Sequence, residues 1–272
     1  MKLRSIFISD VHLGSRACNA ALLGDFLASV SAEYLFLVGD LIDMERLARR
    51  WHWPHQHGEV LETLLARARQ GARVYYIPGN HDGPVRQYAG VEFGGVKVVA
   101  EHIHHLADGR RLLIMHGDQF DHVIHQRRLL GMLGSWAYCG MVYANRRLNA
   151  ARRLLGLEYW SLASCVKRRN CRVRDMAGNF KQVLCQHARA RGCDGVMAGH
   201  IHTAEIDHFQ DTLYCNTGDW VESCTAILED HRGQLELITW PEWQRRRDAW
   251  KAVGAAACGQ VWEDRLAAAN AG

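Results

Sequence analysis

Aspartate, asparagine and histidine recur in short clusters at the ends of apolar runs. The clusters are Asp10-Val11-His12, Gly39-Asp40, Gly79-Asn80-His81-Asp82, His116-Gly117 and Gly199-His200-Ile201-His202. Carboxylate, amide and imidazole together suit a divalent cation such as Zn, Mn, Fe or Co. Asp-x-His and His-x-His spacings put alternate side chains on one side of extended backbone, so both can face one ion. A glycine beside a ligand lets the chain turn without a Cβ clash. An acid at the end of a buried strand is costly unless a cation or hydrogen bonds compensate it. One histidine after a strand is commonly a hydrogen-bonded core or surface residue, and one Gly-Asp is an ordinary turn. Five such clusters at five strand exits are not covered by those readings.

Regular elements must carry the clusters to one place. Apolar runs predict strands over Leu3–Ile8, Leu35–Val38, Arg73–Ile77, Val96–Val99, Leu112–Met115 and Gly195–Ala198. Helical spacing of apolar residues predicts helices over Ala21–Val30, Val60–Ala68 and Phe180–Arg191, with Gly71 stopping the second. Pro54 is expected to break the aromatic, His-rich stretch Trp51–His57. This alternation indicates an α/β domain with a partly parallel sheet, in which sites collect outside the carboxyl ends of strands. Thr212–Cys215, Cys224–Leu228 and Gln234–Ile238 are expected to close the domain as an antiparallel set.

Composition narrows the class. With 272 residues the chain can bury a sizeable core. The apolar run after Met1 is too short for a signal peptide, and Asp10 and His12 follow at once, which predicts a cytoplasmic protein. Nine cysteines, odd in number and without Cys-x-x-Cys, argue for reduced core thiols over a disulfide framework or zinc ribbon. The net charge of +4 is unevenly spread: twelve bases and four acids between Asp118 and Lys181 leave +8 there. That segment asks for an anionic partner.

The ordered set Asp-x-His, Gly-Asp-x-x-Asp, Gly-Asn-His-Asp, His-Gly and Gly-His-x-His resembles the signature of the calcineurin-like metallophosphoesterase superfamily. The resemblance implies an α/β fold, the metallophosphoesterase αββα sandwich of two mixed β-sheets flanked by helices. It also implies two divalent metal ions, manganese first among the candidates, with zinc or iron accepted by the same ligands. Asp10, His12 and His202 would hold one ion, Asn80, His116 and His200 the other, and Asp40 would bridge them. His81 would act as general acid with Asp43 hydrogen-bonded to its ring; a cap on the following helix is the plainer role for Asp43.

From Phe7 to Trp240 the likeness extends to bacterial UDP-2,3-diacylglucosamine pyrophosphatases of lipid A synthesis. It implies a metallophosphoesterase domain over 1–240, interrupted by a basic helical lid at 119–181 and followed by a helical tail at 241–272. Leu129, Leu133, Trp136 and Gly140, then Leu148, Ala151 and Leu155, recur at helical spacing in the lid. A basic amphipathic lid suits an anionic lipid or nucleotide-sugar substrate, and peripheral contact with the inner membrane. Arg86, Asp121, Lys167, Arg168 and Arg169 are the candidate substrate contacts. One departure stands out: where that subgroup carries Arg after the metal-binding Asn, this chain has His81. The alternatives are a phosphodiesterase or nuclease acting on nucleotides or nucleic acid, a protein phosphatase, and a non-enzymatic scaffold. The lid aromatics lie within helical apolar patterns, not as a stacking platform, which weighs against nucleic acid.

Overall fold

The structure, a computed structural model, describes residues 2–121 and 171–249 and, between them, 144–145, 147–149, 151–152, 154–157 and 160. Lys167, Arg168, Arg169, most of the 119–181 insertion and the tail from 250 lie outside the described residues.

Two sheets face each other. The larger has the order β12-β11-β1-β2-β3-β5-β4 and is parallel from β1 through β2 and β3 to β5. Its strands are β1 (Lys2–Ile8), β2 (Ser31–Val38), β3 (Arg73–Ile77), β4 (Glu92–Phe93), β5 (Val96–Val98), β11 (Thr225–Glu229) and β12 (Leu235–Thr239). The smaller sheet, β6-β7-β8-β10-β9, holds β6 (His102–His105), β7 (Arg111–Ile114), β8 (Gly195–Ala198), β9 (Glu205–Phe209) and β10 (Thr212–Asn216). α1 (Ala20–Ser29) and α3 (His55–Arg69) cover the outer face of the large sheet, while α4 (Cys171–Ala190) covers the small one.

β2 shows why its sequence is continuously apolar. Leu35 and Leu37 pack with Leu23, Phe26, Val60 and Leu64 on the helix side. Phe36 and Val38 point the other way, into the layer between sheets with Phe7, Ile77, Ile114 and Met197. A strand buried on both faces needs apolar residues at every position. Phe7 and Phe36 stack there at 4.9 Å between centroids. Removing Phe36 to Ala would cost roughly 3–5 kcal/mol by cavity formation. The third layer pairs Phe180, Leu184 and Ala188 of α4 with Leu113, Val196 and Tyr214. The layers are therefore helix, sheet, sheet, helix, the αββα sandwich anticipated above.

Two expectations need correction, and one gains a role. Thr212–Asn216 is not part of one closing antiparallel set: it runs parallel to β8 in the small sheet, while β11 and β12 complete the large one. Pro54 does break the Trp51–His57 stretch, between irregular chain over 51–54 and α3, whose N-cap residue it is. The helix expected from Phe180 starts at Cys171, so its first half belongs to the same helix that packs on the small sheet. The reading of the cysteines holds for Cys18, Cys185, Cys193, Cys215 and Cys224, which are buried free thiols.

Candidate metal centre

β1, β2, β3, β7 and β8 all end at one rim of the sandwich, and each delivers one cluster there. The parallel ladder of β1 and β2 continues beyond the strands. Asp10 N–H donates to Gly39 O at 3.0 Å, His12 N–H to Asp40 O at 2.9 Å, and Leu13 N–H to Leu41 O at 2.9 Å. Within the small sheet, Gly199 N–H donates to His116 O at 3.2 Å; across the sheets, His200 N–H donates to the Asp10 carboxylate at 3.0 Å.

The backbone marks the same residues. Asp10, His12, Asp40, His200 and His202 have φ between 51° and 70°, and among the described residues only Gln210 and Cys224 share that left-handed region without being glycine. Such a conformation costs an ordinary residue of order 1–3 kcal/mol and is found where surroundings over-determine it. Two glycines make the close approach feasible. A Cβ on Gly39, whose φ is 83°, would fall within the His116 ring. A Cβ on Gly79 would meet the Asp40 carboxylate and lie 2.7 Å from His116 Nε2.

Three groups of potential ligand atoms lie within 4.8 Å of one another: Asp10, His12 and His202; Asp10, Asp40 and His116; and His12, Asp43 and His81. Asp10, Asp40, Asp43 and His116 are buried almost completely. His116 Nδ1–H donates to Val38 O at 2.9 Å, which turns Nε2 toward the acids and makes it the nitrogen that a cation would take once its proton is displaced. That Nε2 lies 3.5 Å from Asp40 Oδ2, and His12 Nε2 lies 3.8 Å from the same oxygen. His202 Nε2 is 3.1 Å from Asp10 Oδ1. The decisive observation is what these atoms lack. Asp10 Oδ1, His12 Nε2, Asn80 Oδ1 and His116 Nε2 are buried without a hydrogen bond of good geometry, and the neighbours of the atoms on Asp10, His12 and His116 are the ring and carboxylate atoms just named. Buried polar atoms without partners are rare and costly, and here three of them, on Asp10, His12 and His116, gather around Asp40, with Asn80 on the turn that follows β3. Divalent cations would satisfy all four, so the residues fit the group that the sequence resemblance implies.

Electrostatics agree. Burial opposes ionisation of Asp10 and Asp40, yet His202 beside the first and His116 beside the second hold both carboxyls below the usual range. Burial likewise opposes a charge on His116, but Asp40 and Asp10 overcome it and push its ring up to about 10. The cluster thus holds a negative potential that calls for positive charge.

Asp43 and His81 meet as expected: His81 Nδ1 lies 3.2 Å from Asp43 Oδ1, and its backbone N–H donates to Asp40 Oδ1 at 2.8 Å. The Asp43 hydrogen bond raises the His81 pKa, against the effect of burial. Asp43 is also the N-cap of α2 (Met44–Arg49), accepting Arg46 N–H at 3.1 Å, so one carboxylate caps the helix and faces the His81 ring. The other oxygen of Asp43 lies 3.5 Å from His12 Nδ1.

The remaining candidates fall differently. His200 is near the cluster, 5.2 Å from the His116 ring, but its Nε2 pairs with Asp121 Oδ1 at 2.6 Å. Asp121 therefore contacts a candidate ligand. Arg86 binds Asp118 at 2.6 Å and Pro78 O at 3.3 Å. Lys167, Arg168 and Arg169 are outside the described residues.

Sequence reasoning passed over Asp82. It is fully buried and accepts Leu41 N–H at 2.7 Å, Gly79 N–H at 2.5 Å, Asp40 N–H at 3.3 Å and the Tyr76 hydroxyl. It ties the turn after β3 to the turn that carries Asp40. Its place in Gly-Asn-His-Asp was the available signal. Asn216–Trp220 gains a structural role too: Asn216 donates to Gly199 O at 2.7 Å, and Trp220 N–H donates to Asp10 O at 3.1 Å.

A αββα sandwich with carboxylate, amide and imidazole ligands at its strand ends is a phosphoesterase architecture, and the chain belongs to the calcineurin-like phosphoesterase family, whose model matches residues 3–204. It is a hydrolase of that family, which implies divalent metals. Among curated proteins it is similar to the UDP-2,3-diacylglucosamine hydrolase of Aeromonas hydrophila, 27% identical over 83% of this chain and 94% of that protein. The protein of the same name from Edwardsiella ictaluri is 26% identical over 88% of this chain and 93% of its own length. That of Neisseria meningitidis serogroup B is 24% identical over 82% and 92%. Among solved structures, an archaeal phosphodiesterase aligns with a TM-score of 0.42 at 13% identity, over 86% of this chain and 98% of its own.

Proposed function

We propose that this chain hydrolyses the diphosphate of a lipid-linked nucleotide sugar of the UDP-diacylglucosamine type at the cytoplasmic membrane face. The observation that carries the reading is the gathering of Asp10, His12 and His116 around Asp40, with Asp10 Oδ1, His12 Nε2 and His116 Nε2, and Asn80 Oδ1 on the adjoining turn, buried without a hydrogen bond of good geometry. Similarity to relatives called UDP-2,3-diacylglucosamine hydrolase directs it to that substrate class.

Asp10, His12 and His202 would hold one divalent cation, Asn80, His116 and His200 the other, with Asp40 between them; manganese is the first candidate. When bound, such a pair activates water and neutralises charge building on the phosphoryl oxygens. The protein's own part is positioning and proton supply. His81 stands beside Asn80 and holds a proton for the leaving oxygen, while Asp43 fixes its ring and favours the protonated form. The 119–181 insertion serves as a lid whose arginines meet the anionic substrate. Trp51 and Leu154 support contact with a lipid surface, being 74% and 90% exposed beside Arg49, Arg50 and Arg152. Among the described residues no helix is long and apolar enough to cross a membrane.

His81 also favours a second reading, phosphodiester hydrolysis on nucleotides or nucleic acid, because a proton donor suits an alkoxide leaving group. One experiment separates them. The Mn-loaded protein is offered a UDP-diacylglucosamine, a bis-aryl phosphodiester and single-stranded RNA, with products followed by phosphorus NMR. Preferred release of UMP and a lipid sugar 1-phosphate supports the first reading. Cleavage of RNA with the lipid substrate untouched overturns it.

A further inference from the structure

Between β10 and β11 the chain passes from the small sheet to the large one, and it does so through residues 217–224 at the rim that carries the candidate ligands. Thr217 and Asp219 of this crossover are completely buried. A buried carboxylate is costly unless its oxygens have partners or a positive neighbour, and the two oxygens of Asp219 are used differently. Oδ1 accepts three backbone N–H groups of its own turn: Val221 at 2.8 Å, Ser223 at 3.2 Å, and Glu222 between them. Oδ2 accepts the Ser223 hydroxyl at 2.7 Å and lies 4.0 Å from Nδ1 of His202. The other nitrogen of that ring, Nε2, is 3.1 Å from Asp10 Oδ1. His202 thus stands between two fully buried carboxylates. Capping the turn engages Oδ1 alone, and an asparagine would do it equally well. The turn therefore does not account for an acid at this position.

The same crossover selects the oxygen of Asp10 that remains for an ion. Thr217 bonds Ser9 Oγ, Ser9 bonds Asp10 Oδ2, and His200 N–H reaches that oxygen at 3.0 Å. Oδ1, on the His202 side, is buried without a hydrogen bond of good geometry. Two further candidate ligand rings show how the others are backed. His116 Nδ1 is 2.9 Å from Val38 O, and His12 Nδ1 is 3.5 Å from Asp43 Oδ2. A histidine that binds a metal through one nitrogen almost always gives the proton on the other to a carboxylate, a carbonyl or water.

We infer that Asp219 is a positioning residue of the metal centre: its Oδ2 receives the Nδ1 proton of His202 and so turns Nε2 toward the ion held with Asp10. The inference rests on the reading of His202 as a metal ligand. The gap of 4.0 Å is longer than a hydrogen bond, and a small rotation of the ring closes it as Nε2 is drawn to a cation. The negative charge behind the ring also makes Nε2 a stronger donor. Asp219 does for His202 what Asp43 does for His12, from the opposite side of the ion.

The test uses the full-length protein, stripped of metal and titrated with Mn2+ by calorimetry. Asp219→Asn keeps an oxygen for the three N–H groups of the turn, so its metal-free Tm should stay near that of the wild type. It offers His202 an amide in place of the carboxylate, and Mn2+ affinity at one site is expected to fall about 10–100-fold. Asp219→Ala should lose the same affinity and lower the Tm as well. With diamagnetic Zn2+ bound, the His202 Nδ1 proton of the wild type should give a downfield, slowly exchanging NMR signal that Asp219→Asn lacks. An Asp219→Asn protein that keeps both its metal affinity and that signal overturns the inference and leaves Asp219 as a turn cap. Val60→Ala, a buried position on α3 away from the ligands, serves as a destabilised control. An equal loss of affinity in that control also overturns the inference. A wild-type protein that binds no divalent ion fails the two-metal reading itself.

Discussion

Asp43 Oδ2 lies 3.5 Å from Nδ1 of His12, a candidate metal ligand. The same carboxylate holds His81, the candidate acid, through its other oxygen at 3.2 Å. One buried side chain thus orients a ligand and a proton donor together. Asp43→Ala is expected to lower metal affinity about 10–100-fold, as loss of a histidine's outer partner does. It should also slow turnover of substrates with poor leaving groups. Metal titration of the purified variant checks the first effect, and full metal affinity would confine Asp43 to the acid.

His81→Ala should leave the metal ligands intact and remove the proton donor. Alkyl phosphodiesters are expected to lose about 10²–10⁴ in rate. Aryl diesters, whose leaving groups need no proton, should lose far less. Parallel kinetics on the two substrates decide the matter, and equal losses would remove the assigned role.

Asp40→Ala and Asn80→Ala strike the candidate ligands directly. Each should abolish hydrolysis of a generic aryl phosphodiester and reduce the bound metal found by elemental analysis. Normal activity in either variant would sink the two-metal reading.

Asp121 touches His200 Nε2 at 2.6 Å, although sequence reasoning placed it among substrate contacts. If its role is to hold that ring, Asp121→Ala should weaken metal binding with little change in KM. If it meets substrate, KM should rise while metal binding stays constant. Both quantities can be measured on one preparation.

Lys181 bonds Asp207 and lies 3.0 Å from Glu205, tying α4 to β9. Its hydrogen bond holds the Asp207 carboxyl below the ordinary 3.8. A depressed acid contributes stability above its unfolded pKa and loses it as pH falls through the folded value. Lys181→Met should therefore lower Tm modestly at neutral pH, by an exposed-pair effect of about 0.2–1 kcal/mol. The gap to wild type should shrink below about pH 3.8. A gap that stays undiminished as the pH is taken from neutral far into acid would assign the effect to lost packing.

Much of the site was legible because its residues sit at strand ends in a fixed order. The runs Leu35–Val38 and Gly195–Ala198 are apolar throughout, as doubly buried strands must be, Ile6–Ile8 ends its strand in the same way, and the clusters follow them. Pairing was less legible. Thr212–Asn216 reads as a strand from its own residues, but its parallel partner β8 is set by distant packing. β6 and β9 were missed because His102–His105 and Glu205–Phe209 lie at the outer edges of the small sheet and are largely polar. Asp82 was visible as a letter in a motif. Its bonds to the backbone of Leu41 and Asp40 arise only when β2 and β3 are paired.

Asp10, His12, Asp40 and Asn80 leave strands of the seven-stranded sheet, whereas His116, His200 and His202 leave the five-stranded one. An ion shared between them would act as a rivet through one end of the sandwich. At the opposite end the sheets are held by the aromatic layer, by the Ser5–His104–Glu229 contacts, and by hydrogen bonds from Arg4 to His105 O, from Ala107 N–H to Glu229 and from Arg110 to Gly233 O. Shear between the layers would then pivot about the riveted rim and open the far end first. Catalytic alignment would survive small breathing motions, and amide exchange should run faster at the unriveted edge.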